Sequence, residues 1–464
     1  MSLPTPVGRQ VEVLYLPAQG HYMVLGTAGS GKTTLAVLRA AYLADPETDH
    51  AGPTLLLTFN RALVAYLQHL QPRSFTDVTT ENYHLFARGY LNSRGKMTPN
   101  GICDPNTREA LIGEALKTVS DRYPGLGLFN MSVDFFSDEI KWINEHGLVS
   151  KASYLGDQRH GRDGVPLNRR SRSLVFEVFE EYRQAQIMAA RLYDWDNLAT
   201  AVCEEFAQDT SPRRYRHVVI DEGQDFSPEM LRSLVQAVPP NGSITFFGDA
   251  AQEIYGSRIS WRSLGIDVAD RWEFRQNYRN TRQIAQLALS ISAMPHFRGI
   301  VDLIEPVAPA ADGPLPTLVH FQSKADEIRL IVEQATRLST NQSVAILLRN
   351  RADENLIRHR LPGSAIRFHR HMTLWEAGPG LKYGTYHSAK GLEFDTVILP
   401  FLSDQRLPDP DHAEVFGIDN AMIHDGKLVY VGITRAKVRL IMTYTDNLTP
   451  LLPTDPALFR RMER

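Results

Sequence analysis

Eight consecutive residues near the start of the chain have the types and spacing that bind a nucleoside triphosphate. They match the pattern G-x-x-x-x-G-K-[ST] and are Gly26, Thr27, Ala28, Gly29, Ser30, Gly31, Lys32 and Thr33. In such a loop the glycines let backbone N–H groups surround phosphate oxygens, the lysine reaches the β- and γ-phosphates, and the last hydroxyl binds Mg²⁺. Thr34, the next residue, is included among the expected nucleotide contacts.

The surroundings of this loop favour phosphate binding over a chance glycine-rich turn. Residues 21–25 form a short apolar run typical of a strand, and residues 32–43 have helical periodicity. A phosphate loop needs a strand before it and a helix after it. The sequence therefore predicts a site for a nucleoside triphosphate and Mg²⁺.

Two adjacent carboxylates follow a second apolar run. Asp221 and Glu222 come directly after residues 218–220, at the end of an expected strand, where open α/β sheets bind their ligands. One carboxylate could hold Mg²⁺, and the other could take a proton from water. The alternative is that both acids cap the helix expected after Ser227, but the phosphate loop favours the catalytic interpretation.

The composition limits the class of protein. A chain of 464 residues suggests roughly three structural units, or two large ones with an insertion. The formal net charge of -3 gives no overall basic field, so nucleic-acid binding would require a local groove. Only two cysteines, Cys103 and Cys203, are present, which excludes a disulfide framework and predicts a reducing, cytoplasmic setting. The N-terminal residues have no leader pattern, and no run is long enough to span a membrane, so we expect neither secretion nor membrane insertion.

The pattern along the chain divides it into α/β and helical parts. Between residues 20 and 80, strand-like runs alternate with helical ones, as in a parallel sheet. Residues 96–192 carry long amphipathic stretches and predict a helical insertion. Strand-like runs return at 217–220, 243–247, 343–348, 395–399 and 438–444. The Pro-rich segment 306–316 is interpreted as a linker or long loop.

Further motifs make a family resemblance specific. Residues 221–225 have the D-E-x-Q-D form of the UvrD/Rep-like branch of superfamily 1 DNA helicases, and the other motifs of that branch occur in order. The matching segments are Gln10 for the Q motif, 58–61 for motif Ia, 82–84 for a DNA-contact element, 193–198 for the segment before motif II, 248–255 for motif III, 276–280 for motif IV, 385–394 for motif V and 430–436 for motif VI.

The resemblance implies a fold with domain boundaries. It implies two RecA-like P-loop NTPase lobes of the α/β class, with a small helical insertion in the first lobe. The expected ranges are 1–95 and 193–270 for lobe 1A, 96–192 for the 1B-like insertion and 271–464 for lobe 2A.

The resemblance also implies roles in the nucleotide site. Phosphoryl transfer depends on cations that neutralise charge on the γ-phosphate, and two of the expected cations follow the first α/β unit, so the site would lie in a cleft between lobes. The implied catalytic residues are Lys32, Glu222, Gln252, Arg279 and Arg435. The implied nucleotide contacts, besides the loop, are Gln10, Gln224, Tyr278 and Glu393, and the implied Mg²⁺ ligands are Thr33 and Asp221.

Single-stranded DNA would be held by aromatic stacking and by hydroxyls and cations on phosphates. The candidates are Thr58, Asn60, Tyr83, His84, Tyr255, Trp261, His387 and Ser388. Trp261 could equally be a core tryptophan, because it lies behind an insertion at 256–260. The basic segment 151–172 is by default a solvated loop, although its place in the insertion allows contact with DNA phosphates.

The chain departs from its larger relatives in one respect. Only 35 residues separate Arg349 from Thr385, where full-length relatives carry a second insertion called 2B, so we expect that domain to be absent. No nuclease constellation is recognisable, and His359, His369 and His371 are interpreted as loop residues.

Two functions remain open from the sequence. The first is a Mg²⁺-ATP-driven translocase or helicase on single-stranded DNA, with 3′ to 5′ polarity implied by the family. The alternative is an ATP-gated nucleic-acid-binding or signalling subunit that acts with a separate nuclease, without processive unwinding.

Overall fold

The structure, a computed structural model, describes most of the chain. The described residues are 5–6, 8–26, 30–58, 64–65, 67–68, 77–157, 167–248, 268–274, 280–295, 311–368, 378–389 and 391–464. None of the helices in these ranges is both long and apolar enough to cross a membrane. The expected cytoplasmic location stays a prediction.

The strands form two parallel sheets. In chain order they are β1 Gly20–Gly26, β2 Thr54–Thr58, β3 Val78–Asn82, β4 His217–Ile220, β5 Ser243–Gly248, β6 Val268–Phe274, β7 Thr317–Phe321, β8 Ser343–Leu348, β9 Ile366–Arg367, β10 Gly380–Thr385, β11 Phe394–Leu399, β12 Ala436–Thr445 and β13 Arg460–Glu463. The first sheet has the order β3-β2-β4-β5-β1-β6, and the second has the order β13-β7-β12-β11-β8-β10-β9. The predicted α/β class with two lobes is confirmed.

Helices cover both sheets and form the insertion. In chain order they are α1 Arg9–Leu14, α2 Lys32–Ala44, α3 Tyr83–Ser93, α4 Pro105–Arg122, α5 Val133–Glu145, α6 Lys151–Gly156, α7 Arg169–Met188, α8 Leu198–Phe206, α9 Pro228–Gln236, α10 Arg282–Ser292, α11 Lys324–Leu338, α12 Arg351–Arg358, α13 Pro410–Phe416 and α14 Ile418–Thr434. Several begin at a capping side chain. For example, the Asp104 carboxylate accepts hydrogen bonds from the backbone N–H groups of Asn106 and Thr107, which begins α4.

The strands of the first sheet are apolar because both of its faces are covered. Every residue of β2, β4 and β5 is buried, as expected for a parallel sheet between two layers of helices. Their register brings the carboxyl ends of β1, β4 and β5 to one edge, since Leu25 lies beside Gly248 and Ile220 beside Phe246. That edge positions the phosphate loop and the two acids.

The helical insertion has a core of its own. Helices α4 to α7 bury one another's apolar faces, with Phe136, Ile140, Phe176 and Tyr182 fully enclosed. The Tyr182 hydroxyl donates a hydrogen bond to the carboxylate of Asp194 (2.6 Å), and Arg108 forms ion pairs with Asp194 and Asp196. These bonds join the insertion to the chain that re-enters the first lobe. The exact domain boundaries stay a prediction.

Candidate functional site

The phosphate loop has the backbone geometry that its sequence requires. Gly31 has a left-handed φ of 86° at the start of α2, a conformation that glycine adopts without steric cost. A Cβ atom on Gly26 would lie 2.5 Å from the Ser30 hydroxyl oxygen, so a side chain does not fit there. The Lys32 ammonium donates to the Gly26 carbonyl (2.7 Å) across the loop. Lys32 is thus held over the place where phosphates would lie at the N-terminus of α2.

The helix that carries Gln10 is attached directly to this loop. The Gln10 side-chain amide donates to the Ser30 carbonyl (3.1 Å). Behind it, the fully buried Arg39 of α2 donates to the carbonyls of Leu14, Leu16 and Pro17, which end and follow α1. Burial lowers the pKa of Arg39 to about 10. Arg39 belongs to no recognisable motif, and only the fold shows that its charge is buried.

Asp221 fits the role of a cation ligand. The residue is buried, and neither carboxylate oxygen accepts a hydrogen bond of normal geometry from the described residues. Burial and the adjacent Glu222 raise its pKa, whereas the Thr33 hydroxyl and the Lys32 ammonium oppose that rise from the phosphate loop. A buried carboxylate next to a hydroxyl is a donor set that Mg²⁺ accepts. Thr33 and Asp221 are therefore the residues that would hold the ion.

Glu222 adopts an unusual backbone conformation. Its φ of 52° lies in the left-handed region, which costs a residue with a side chain on the order of 1 kcal/mol. The Gln224 amide donates to the Glu222 carboxylate (2.5 Å). Gly223 between them cannot carry a side chain, because a Cβ atom would lie 2.1 Å from the Phe246 ring. The fold therefore turns Glu222 and Gln224 together toward the end of β5.

The helix-capping alternative for the two acids is wrong. The hydroxyl of Ser227 itself accepts the hydrogen bond from the Met230 backbone N–H that begins α9 (3.2 Å). Asp221 and Glu222 are left for another role.

In the second lobe, Glu393 and Arg435 lie at the amino edge of the sheet, directly before β11 and β12. The backbone N–H of Phe394 donates to the Arg435 carbonyl (3.0 Å), which joins the start of β11 to the end of α14. The Arg435 guanidinium is buried, and it donates to the carbonyls of Val431 (3.1 Å) and Leu392 (3.5 Å). Glu393, half-buried, lies between Leu392 and Phe394.

Two expected DNA contacts are corrected by the structure. Tyr83 is fully buried, packs edge-on against Phe226, and shares a hydrogen bond between its hydroxyl and that of Ser233 (2.7 Å). Thr58, at the end of β2, is also fully buried. Both side chains are enclosed because the strand and helix that carry them are covered on that side, so the prediction that they touch DNA is wrong.

A residue that the sequence analysis did not assign lies beside His84. Trp195 is 36% exposed, and its ring meets that of half-buried His84 edge-on, with centroids 5.3 Å apart. The only sequence signal for it was a tryptophan within the acidic segment 193–198. The pair presents aromatic surface next to the insertion.

The motif V residues are held at the surface of the second lobe. His387 is exposed, and the Ser388 hydroxyl is 3.0 Å from that of Thr385. Their positions are consistent with contact to a ligand, and the role stays a prediction.

The remaining predicted site residues lie outside the described residues. They are Ala28, Gly29, Asn60, Gln252, Tyr255, Trp261, Tyr278 and Arg279.

In the basic segment, two cations pack against the insertion itself. Lys151 pairs with Glu177 (3.1 Å), and the Arg172 guanidinium lies over the Tyr154 ring (4.7 Å).

Comparison with known proteins identifies the family. Residues 9–263 match the UvrD/REP helicase N-terminal domain, and residues 381–447 match the UvrD-like helicase C-terminal domain. The first match alone covers more than half of the chain. The chain belongs to the UvrD/REP helicase family. It is therefore an ATP-hydrolysing enzyme of the helicase class, and the predicted family is confirmed.

Individual relatives of this UvrD-type helicase are distant. The Bacillus subtilis protein YjcD, provisionally named an ATP-dependent DNA helicase, is 23% identical over 370 residues, which are 75% of this chain and 46% of YjcD. A Mycoplasma pneumoniae protein, provisionally named a DNA helicase, is 24% identical over 455 residues, 91% of this chain and 80% of that protein. The ATP-dependent DNA helicase UvrD2 of Mycobacterium tuberculosis is 23% identical, with 95% of this chain and 79% of UvrD2 covered. The chain thus spans about half the length of YjcD and about four fifths of the other two.

Proposed function

We propose that the protein is an ATP-dependent motor that moves along single-stranded DNA from 3′ to 5′, with a site that uses both lobes. The observation that carries this proposal is the buried Asp221 carboxylate, which lies next to Thr33 and Lys32 of the phosphate loop and is followed directly by Glu222. A buried acid of perturbed pKa beside a phosphate loop is typical of a site that binds Mg²⁺ and a nucleotide, and the adjacent Glu222 supplies a candidate base for hydrolysis. The names of the relatives support DNA as the track.

Each side chain of the site has a definite task in this proposal. Mg²⁺ held by Thr33 and Asp221 would neutralise charge on the phosphates. Glu222 would accept the proton of the attacking water, and the hydrogen bond from Gln224 fixes its carboxylate. Lys32 from the first lobe and Arg435 from the second would stabilise the charge that develops on the γ-phosphate. Because these two cations belong to different lobes, hydrolysis would be coupled to movement of the lobes.

The DNA surface in this proposal combines Trp195 and His84 of the first lobe with His387 and Ser388 of the second. Aromatic rings stack on bases without sequence preference, which a motor that moves along any strand requires. We also propose that the chain lacks a 2B domain, which would leave translocation intact but weaken strand separation by the isolated chain.

The test is steady-state ATP hydrolysis with and without single-stranded DNA, followed by displacement of streptavidin from biotin at either end of a strand. Strong stimulation by DNA, with faster displacement from the 5′ end, supports a 3′ to 5′ motor. Hydrolysis that DNA does not stimulate would favour the ATP-gated subunit instead. Processive unwinding of a 3′-tailed duplex by the purified chain would contradict the role given to the missing domain.

A further inference from the structure

Three histidines from three separate elements meet at the carboxyl edge of the second sheet. His387 follows β10, His412 lies in α13 and His424 lies in α14. The rings of His412 and His424 are stacked, with centroids 4.7 Å apart and planes at 26°. The ring of His387 lies 6.0 Å from that of His424. We name these three residues the histidine patch.

The patch is open to solvent on one side. His387 is exposed, and His412 and His424 are half-buried. Metal ligands point their nitrogens at one centre, whereas the rings of His412 and His424 lie face to face. No group of three metal-binding side chains occurs within the part of the chain that the structure describes. The arrangement is that of a contact surface.

A buried ion pair supports His424 from below. Its Nδ1 atom is 3.0 Å from a carboxylate oxygen of the fully buried Asp425, and the same oxygen is 2.8 Å from the Arg349 guanidinium. The other oxygen of Asp425 accepts a hydrogen bond from the Asp409 backbone N–H (2.7 Å), one residue before α13. The carboxylate therefore favours the tautomer of His424 that carries a proton on Nδ1.

Backbone hydrogen bonds hold the loop that carries His387. Tyr386, the preceding residue, is fully buried in the core, and its backbone N–H donates to the Leu348 carbonyl (2.9 Å). The backbone N–H of Ala389 donates to the Thr385 carbonyl (3.1 Å). With Tyr386 directed inward, His387 is left at the surface beside His424.

We propose that the histidine patch is one contact surface for single-stranded DNA, in which His412 and His424 extend the contact expected of His387. The inference rests on the proposed function. Imidazole rings stack on bases, and a protonated imidazole can donate an N–H hydrogen bond to a phosphate. Surface residues of this kind would add both stacking and a charge that depends on pH.

The charged groups around the histidine patch influence the protonation of His412. Arg349, Asp409 and Asp425 face it from the neighbouring elements. Burial and the adjacent His424 lower the pKa of His412, whereas Asp425 and Asp409 oppose that effect. At neutral pH the ring is therefore neutral in the free protein. A bound phosphate favours the protonated ring, so DNA affinity should rise as the pH falls toward 6.

The experiment measures binding of fluorescein-labelled oligo-dT by the full chain, by anisotropy, at pH near 6 and near 8 and over about 50 to 200 mM salt. The variants are His412→Gln and the double variant with His424→Gln. His359→Gln is the matched control, since His359 is an exposed histidine of the same lobe at the end of α12. Unfolding midpoints identify any variant that has lost its fold.

The double variant should bind about 10-fold more weakly near pH 6, with a smaller loss near pH 8. The slope of log K against log salt should fall by about 0.7 for each lost phosphate contact. The control should match the wild type. Binding by both variants within twofold of the control at both pH values overturns the proposal, and an unchanged salt slope near pH 6 overturns the phosphate contact. Since the substitution His424→Gln removes one hydrogen-bond partner of Asp425, the single His412→Gln variant decides the matter if the double variant is unstable.

Failure of this inference is distinct from failure of the proposed function. A wild-type chain whose ATP hydrolysis is not stimulated by DNA contradicts the motor. A wild-type chain that is stimulated, with histidine variants that bind like the control, contradicts the histidine patch alone.

Discussion

The candidate site residues of the two sheets lie at opposite strand ends and differ in their hydrogen bonding. At the carboxyl edge of the first sheet, the buried Asp221 carboxylate accepts no hydrogen bond of normal geometry from the described residues, and Glu222 has a left-handed backbone. At the amino edge of the second sheet, the Arg435 guanidinium already donates to the carbonyls of Val431 and Leu392. The first edge is built for a ligand in advance, whereas the second would exchange internal hydrogen bonds for ligand contacts. If Arg435 contacts the γ-phosphate as proposed, part of the binding energy would be used to break these internal hydrogen bonds.

Removing the cation of the second edge should have the largest effect. We expect Arg435→Ala to lower the rate of ATP hydrolysis by about 10³- to 10⁵-fold, because an arginine that contacts the γ-phosphate raises the rate by that factor in other phosphoryl-transfer enzymes. Arg435→Lys keeps the charge but loses the planar fork, and it should be nearly as inactive. Turnover is measured under saturating ATP and single-stranded DNA.

The matched control is Arg358→Ala, an exposed arginine at the end of α12 in the same lobe. Unfolding midpoints separate loss of the cation from loss of the fold, since Arg435 is buried. Turnover by a folded Arg435→Ala protein at the level of the control would show that the site lies within the first lobe alone.

Removing the base of the first edge should have the next largest effect. Glu222→Gln keeps the shape of the side chain but cannot accept a proton, so we expect hydrolysis to fall by about 10²- to 10⁴-fold. ATP binding should persist, because the phosphate loop is untouched. Single-turnover hydrolysis and binding of a fluorescent ATP analogue measure the two properties. Equal loss of both would mean that Glu222 supports the loop and is not the base.

The first edge was predictable from sequence for a physical reason. A phosphate loop and a pair of acids after an apolar strand leave few alternative geometries, and Lys32, Thr33, Asp221 and Glu222 all lie where their spacing placed them. Strands made of a continuous apolar run, such as β4 and β8, were predicted for the same reason. The local sequence around each of these four residues was enough to predict its place at the end of a strand or the start of a helix.

Other features depend on tertiary contacts that spacing does not encode. Strand β10 was not predicted, because Gly380 and Gly384 lower strand propensity; a Cβ atom on Gly384 would lie 2.4 Å from the Phe368 ring. Tyr83 was assigned to DNA by a motif match, although its ring packs in the core. Trp195 was left without a role, because its exposure next to His84 appears only in the fold.

The two sheets should also respond to acid in opposite ways. Burial lowers the pKa of His217, in β4, to about 4, whereas burial raises the pKa of Glu327, which supports the second sheet from α11. Because the unfolded chain binds a proton at His217 more tightly, that residue's stabilisation is present above about pH 6.5 and falls by about 3 kcal/mol as the pH drops toward 4. The stabilisation from Glu327 is instead lost as the pH rises through its folded pKa.

Hydrogen exchange at pH near 7 and near 5 tests this difference. Amides of β4 and β5 should lose protection at the lower pH before those of β8 and β11. His217→Gln should reduce the pH dependence of unfolding, and His359→Gln, at an exposed position, should leave it unchanged. Loss of protection in the second sheet first would contradict the assignment.

The proposed DNA surface of the first lobe allows a smaller test. Trp195→Ala should weaken binding of single-stranded DNA by about 5- to 150-fold, the value of one stacked base of about 1–3 kcal/mol. Tyr123→Ala is the control, since Tyr123 is 36% exposed, like Trp195, but lies at the end of α4. Equal binding by both variants would assign Trp195 to the junction with the insertion, and DNA contact would then rest on the second lobe.

The smallest expected effect belongs to Tyr83, which the motif assigned to DNA and the fold assigns to the core. Tyr83→Phe removes only the hydroxyl that pairs with Ser233 (2.7 Å) and leaves the buried ring in place. We expect the free energy of unfolding to fall by about 1 kcal/mol, the net value of one buried hydrogen bond. Affinity for single-stranded DNA should match the wild type within twofold, because no part of the side chain is exposed. Adding Ser233→Ala should cost less than the same substitution does in the wild type, because the hydroxyl pair is already broken and only the hydrogen bond from Ser233 to the Met230 carbonyl (2.7 Å) is then lost. Denaturant unfolding and anisotropy measure the two properties, and a clear loss of DNA affinity with unchanged stability would restore Tyr83 to the DNA surface.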